Sequence, residues 1–262
     1  MERFEIGKFR GFSTFDLKIL GIILMFIDHI HQMFVPMGAP NWLDWFGRPV
    51  ATLFFFVSVV GFSHTRSKEK YMLRLYLGMI IMALGSYVLQ MKVGYEEVQL
   101  MNNIFRDLLT GALMMYGIDK LSEGISGKKI SKLILGIVLL LFPIVTSFIL
   151  FALMGNTATM FVAVWASNFI PALLFTENSF LVLLIPLMYI ARKQRWLQCL
   201  LISLVAVFFF VQGSTQWMMI FAVIPIALFN GEKGKEMRNF FYFFYPLHIW
   251  ILYLISAYIY TH

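Results

Sequence analysis

Charge is what this chain has least of. Only 13% of its 262 residues are Asp, Glu, Lys or Arg, about half of the ~25% usual in a soluble domain. With 60% hydrophobic residues and a mean hydropathy of +0.78, a water-soluble fold is excluded, because one core of this length cannot hide so much apolar surface. Cysteine is almost missing as well. The lone Cys199 forms no internal disulfide and offers no Cys-based metal site, so the structure must come from helix packing. No Gly/Ser linker, low-complexity tract or repeat divides the chain, which reads as a single integral-membrane domain over 1–262. A small-residue cleavage site is also lacking in the first apolar stretch, which carries Lys18, Asp28, His29 and His31; it is expected to stay in the mature protein.

What is present is a series of apolar runs bounded by Gly, Pro, Asn or charge. At roughly 20 residues per membrane crossing, they predict an all-α polytopic membrane protein of nine to ten transmembrane helices. The runs fall at 17–35, 48–64, 70–91, 102–121, 131–153, 179–191, 196–212, 216–230 and 238–260. A tenth stretch, 157–175, is interrupted by Asn168 and Pro171 and is read as re-entrant. The charge pattern supports that reading. With the N-terminus in the cytoplasm and nine spans, 17 of the 21 basic residues fall on the inner side, in clusters within 3–10, 66–74, 120–132, 192–195 and 233–238. A tenth crossing would put Arg192, Lys193 and Arg195 outside. The formal charge of +7 is therefore read as loop charge that orients the spans, and no nucleic acid partner is expected.

Ionisable groups at membrane depth are costly, on the order of 2.5–3.5 kcal/mol each, and face a protein interior or a water-filled cavity. In the first span, Lys18 and His29 lie eleven residues apart on one stripe, and Asp28 and His31 share a neighbouring face. Counted at about 1.5 Å per residue, His29 sits at a level similar to Arg106 and Asp107 of the fourth span. Arg48, at the start of the second span, lies above them. One layer of the outer half thus gathers a histidine, two carboxylates and two arginines, a candidate polar chamber. The structural alternative is a set of ion pairs, Asp28 with Arg48, and Asp107 with Arg106 or a neighbour.

Near the other face, a third helix that began early would carry Arg66, Lys70 and Arg74 as a basic stripe suited to phosphate groups, with His64 beside it. Basic loops on that side are also what orientation alone requires. In the last span Tyr245 and His248 share a face, and Pro246 predicts a kink. Trp42 and Trp45 read as an outer interfacial loop.

The run Phe15-Asp16-Leu17-Lys18 through Met25-Phe26-Ile27-Asp28-His29 resembles the opening of the TraX-type membrane acetyltransferases. The likeness continues in Phe46-Gly47-Arg48-Pro49, Phe54-Phe55-Phe56-Val57, Gly61-Phe62-Ser63-His64-Thr65-Arg66, Lys70-Tyr71 with Arg74-Leu75, Asn103-Ile104-Phe105 with Gly111, and Phe244-Tyr245-Pro246-Leu247-His248. Residues of about 125–235 carry little of it. Lys18 and His29 are also spaced like the Arg and His of the first helix in the broader acyltransferase-3 membrane enzymes. Arg106-Asp107 departs from the pattern, since smaller uncharged residues are expected there.

The resemblance implies acetyl transfer from cytoplasmic acetyl-CoA, used as co-substrate without a metal, to an acceptor amine or hydroxyl, peptide- or glycan-like, in or across a bacterial inner membrane. On that reading His29 is general base or acetyl carrier, with Asp28, Asp107, Arg48 and Arg106 around it. Lys18, His64, Arg66, Lys70 and Arg74 hold coenzyme A, and Tyr245 and His248 are further candidates. A small-molecule or proton-coupled transporter is the alternative, because it too carries Asp, His and Arg at membrane depth.

Overall fold

The computed structural model describes residues 10–262, with the side chains of 238 and 239 left aside. Ten α-helices follow one another: α1 (Thr14–Phe34), α2 (Val50–His64), α3 (Lys68–Val93), α4 (Ile104–Gly127), α5 (Ile130–Met154), α6 (Thr157–Ser167), α7 (Leu184–Ile190), α8 (Arg195–Val211), α9 (Val223–Ala227) and α10 (Arg238–Thr261). Tight 3-10 turns at Asn41–Gly47, Ser179–Leu183 and Thr215–Ala222 precede α2, α7 and α9. Among the described residues there is no strand, only an isolated bridge between Phe12 and Phe229. The chain is an all-α polytopic membrane protein.

Among the described residues, five segments are long and apolar enough to cross a membrane: Thr14–Met37, Asn41–His64, Lys68–Val93, Ile130–Met154 and Phe240–Thr261. The runs predicted at 179–191, 196–212 and 216–230 form shorter apolar helices, two of them opening with a 3-10 turn. The fourth run is α4, whose Arg106, Asp107, Asp119, Lys120 and Glu123 keep it off the apolar set. Arg106 and Asp107 are tolerable because α4 packs against α2, α3, α5 and α7, which shield them from lipid, while Asp119, Lys120 and Glu123 fall towards its other end. α2 is equally interior, with Leu53, Phe55, Phe56 and Phe62 fully enclosed.

The basic clusters gather at one end of the bundle. Lys68 pairs with Asp119, which also accepts from Tyr189 Oη at 2.8 Å. Arg195 Nη1 donates to Ile226 O, and Phe12, Thr14 and Phe15 donate backbone N–H groups to Leu228, Glu232 and Lys233. We call this end the basic face. Arg3 and Lys8, counted towards the same side from sequence, lie outside the described residues.

The 157–175 stretch makes no crossing of its own. α6 has eleven residues, about 16 Å of helix against a hydrocarbon core of about 30 Å. Trp165 of α6 meets Tyr87 near the end of α3 remote from the basic face. The chain then returns along α5, where Leu174 N donates to Ser147 Oγ at 3.0 Å and Thr146 Oγ1 donates to Pro171 O at 3.2 Å. Non-helical backbone at this depth is permitted because protein groups satisfy it.

Helices α4 and α5 form the closest pair. A Cβ on Gly117 would stand 2.9 Å from Gly136 O, and one on Gly136 would stand 2.8 Å from Gly117 O, so two backbones touch where only glycine fits. The obstacle is main chain and cannot rotate away. Gly136→Val is expected to destabilise the protein by about 1–3 kcal/mol, measured as a lowered thermal midpoint in detergent; an unchanged midpoint would show that the two helices can part without cost.

Candidate functional site

Two cavities enter the bundle from opposite ends. The first, of about 550 Å³, lies at the end remote from the basic face; His29, Asp28 and Gln32 of α1, Asp44 and Arg48 of the 41–48 turn, Glu97 and Glu177 are among its walls. Four carboxylates against one arginine make it acidic. Arg48 is already engaged: it pairs with Asp44, four residues back, and exchanges hydrogen bonds with Gln216 through Nη1 and its own carbonyl. Gly47 lies against the Asp28 carboxylate so closely that a Cβ there would fall on it. That contact explains why a glycine precedes Arg48 in the Phe-Gly-Arg-Pro run.

The second cavity, of about 480 Å³, opens at the basic face and is lined by Lys18, His64, Arg74, Lys233 and Lys235, by Glu236, which pairs with Lys233 at 3.0 Å, and by apolar and aromatic side chains. Lys18 Nζ lies 4.8 Å from the Phe241 ring centre, a cation–π contact. Arg74 Nε is buried without a hydrogen-bond partner among the described residues, an orphaned donor beside a basic, partly aromatic hollow. Such a donor set suits phosphate oxygens.

The cavities meet. Met25, Phe54, Ile104 and Tyr245 line both, so one layer of four side chains separates them. His29, one helical turn beyond Met25, stands on the acidic side of that layer and is itself only 3% exposed. Its Nδ1 lies 2.7 Å from Nε2 of His248 on α10. His248 Nδ1 lies 2.7 Å from the carbonyl of Phe244, one turn earlier. α10 continues through Pro246 without ending, which keeps Tyr245 and His248 on the face turned to α1. Tyr245 Oη accepts from Ile104 N at 3.0 Å and donates to Glu177 at 3.3 Å.

Several residues stand apart from the roles the sequence suggested. Asp107 is fully buried and does not touch His29. Its Oδ1 accepts from Glu177 N at 2.9 Å, and its Oδ2 from Asn178 N at 3.1 Å and Asn178 Nδ2 at 2.7 Å. Arg106 donates to Phe175 O at 2.8 Å, so neither residue of this pair lines a cavity and they form no ion pair with each other. Asp28 does not pair with Arg48, which the nearer Asp44 holds. α3 begins at Lys68 behind a Ser67 cap, so Arg66 precedes the helix and the three-residue basic stripe does not form. Arg66 and Lys70 are exposed and outside the cavity, whereas His64 and Arg74 line it.

Residues that sequence reasoning passed over include Glu177, Asp44, Gln216, Lys233 and Lys235. Glu177 carried a signal, a carboxylate closing the interrupted stretch, where it now accepts from Asn102 Nδ2 at 3.0 Å and Asn103 N at 2.9 Å. Lys233 and Lys235 looked like ordinary loop charge. Among the described residues, no group of three or more His, Cys, Asp or Glu side chains is placed to hold a metal ion.

A helical membrane bundle in which a basic cavity and an acidic cavity converge on a buried histidine is the class of protein this site defines. The chain belongs to the TraX protein family, whose pattern matches residues 13–256. A probable fimbrial assembly protein, FimC of serogroup H1 from Dichelobacter nodosus, is 36% identical over 81 residues, which are 30% of this chain and 33% of that relative's length. No solved structure matches the chain.

Asp107 is the anchor of the returning segment, and its loss is expected to loosen that segment first. Asp107→Leu, which leaves Glu177 N and Asn178 N buried without an acceptor, should cost about 2–4 kcal/mol, and Asp107→Asn, which keeps one acceptor oxygen, clearly less. Thermal unfolding in detergent separates the two; equal midpoints would remove the anchoring role.

Proposed function

We propose that the protein is an acetyltransferase that takes acetyl-CoA at the basic face and acetylates an amine presented in the acidic cavity. The observation that carries this is the convergence of the two cavities on a four-residue layer beside His29. Acetyl-CoA fits the basic cavity's donor set: Lys18, His64, Arg74, Lys233 and Lys235 are suited to its phosphates, and the apolar wall towards Met25 and Phe54 to its uncharged arm. The thioester supplies the activated acetyl group. Its transfer forms a C–N bond, breaks the C–S bond and leaves a thiolate that takes up a proton.

On this reading Asp28, Asp44, Glu97 and Glu177 raise the local concentration of a cationic acceptor, which favours an amine over a hydroxyl; the ammonium first releases one proton to solvent at the cavity mouth, and the neutral amine attacks. His29, a neutral imidazole, then takes the proton that the nitrogen loses as the C–N bond forms. By positive-inside orientation the basic face is cytoplasmic, and in a bacterium the bilayer is the inner membrane. The likeness of Lys18 and His29 to the first helix of acyltransferase-3 enzymes agrees with this scheme. The FimC relative makes fimbrial subunits reasonable acceptors to try first.

The test is to supply the purified protein in vesicles with labelled acetyl-CoA and either a peptide amine or a polyol, and to follow label transfer and free thiol together. Transfer to the amine with matching thiol release is expected. Passage of the acceptor across the vesicle without thiol release would instead identify a carrier. His29→Ala is expected to lower turnover by about 10²–10⁴-fold while donor binding persists; normal turnover would remove His29 from the chemistry. Arg74→Ala should raise the acetyl-CoA concentration needed for half-maximal rate, and Lys70→Ala, exposed outside the cavity, should not; the reverse order would displace the donor site.

A further inference from the structure

A second histidine stands behind the first. His248 lines neither cavity, yet it is 5% exposed and hydrogen-bonded through both ring nitrogens. The Phe244 carbonyl only accepts, so His248 Nδ1 carries a proton. In the neutral ring, Nε2 is then a lone-pair nitrogen, and the hydrogen between the two rings belongs to His29 Nδ1. What remains on His29 is an unprotonated Nε2, on a side chain that lines the acidic cavity. The opposite order needs a doubly protonated His248. Among the described residues no carboxylate bonds to either ring, so such a buried cation would stand uncompensated.

The ring geometry is that of a directed hydrogen bond. The centroids are 4.9 Å apart and the planes differ by 14°, while the nitrogens are 2.7 Å apart. That centroid separation is close to the N–N distance plus two ring radii, so the imidazoles meet edge to edge, nearly coplanar. Phe244 stacks on His248 at 4.6 Å and holds its plane.

We propose that His248 is a positioning residue that fixes His29 as its Nδ1–H tautomer and shares the charge His29 gains when Nε2 takes a proton. The role in catalysis rests on the acetyl-transfer reading; the tautomer does not. As the acceptor's proton arrives on His29 Nε2, the Nδ1 proton shifts towards His248 Nε2. The positive charge spreads over two rings, ending at the Phe244 carbonyl. Return of the His29 Nε2 proton to the departing thiolate restores both rings, with no proton gained or lost. His248 with a carbonyl thus does what a carboxylate does behind the histidine of a hydrolase triad.

The test is solid-state ¹⁵N NMR of histidine-labelled protein in lipid vesicles, with His29 assigned by difference from His29→Gln. Wild-type His29 is expected to show a protonated Nδ1 and an unprotonated Nε2 at neutral pH. His248→Phe, which keeps a ring but removes the acceptor, should lose that single tautomer; His248→Gln, whose amide oxygen accepts, should retain it. In transfer assays His248→Phe should lower turnover by about 10²-fold at unchanged donor affinity, and His248→Gln should recover most of it. A wild-type His29 protonated on Nε2 overturns the proposal even if no variant folds, as does an unchanged His29 signal in His248→Phe. The expected tautomer without any acetyl transfer would count against the enzymatic reading and leave the tautomer assignment standing.

Discussion

Much of the described structure depends on the Asp107 carboxylate accepting the backbone of Glu177 and Asn178. In a bilayer an open stretch of main chain is not tolerated unless protein groups take the place of water. Residues 168–183 are such a stretch, and Asp107, Arg106, Ser147 and Thr146 supply the partners. Fixing Glu177 there has consequences beyond that loop. Its carboxylate caps the entry of α4 through Asn103 and receives Tyr245 from α10, so one acidic residue ties the returning segment to two helices that wall both cavities. The charges counted as a departure from the family pattern, Arg106 and Asp107, are therefore the scaffold of the site.

The helical class, the basic face and the re-entrant stretch were legible because they follow from one-dimensional quantities: apolar run length, charge clusters, and Asn or Pro interruptions. A helix also converts residue number into distance, and that count set His29 level with Arg106 and Asp107, of which only His29 lines a cavity. Partnership was not. Whether Arg48 turns to Asp28 or Asp44 depends on the seven-residue 3-10 turn at 41–47, which brings Asp44 under the guanidinium. The basic stripe failed for a similar local reason, because the Ser67 cap starts α3 two residues after Arg66. The His29–His248 contact joins residues 219 positions apart, and no spacing rule reaches across that separation.

The site divides its labour by electrostatics. Basic side chains predominate in one cavity and carboxylates in the other, and the two histidines stand where the sign changes, hydrogen-bonded to no carboxylate among the described residues. Burial of this kind favours neutral rings, and neutral imidazoles joined through their nitrogens are directional in a way that an ion pair is not. The position of each proton is then set by a backbone carbonyl, a group that substitution at Phe244 does not remove.

The partition shared by the cavities has a further consequence. Met25, Phe54 and Ile104 are apolar and Tyr245 turns its hydroxyl to Ile104 and Glu177, so the septum presents hydrocarbon to anything charged. An ion leaving either vestibule would shed its water at a cost of several kcal/mol, and the two compartments stay insulated although their solutions reach within a few side chains of each other. A membrane protein hollowed from both ends in this way keeps its two vestibules apart, with the thin wall serving as the seal between them.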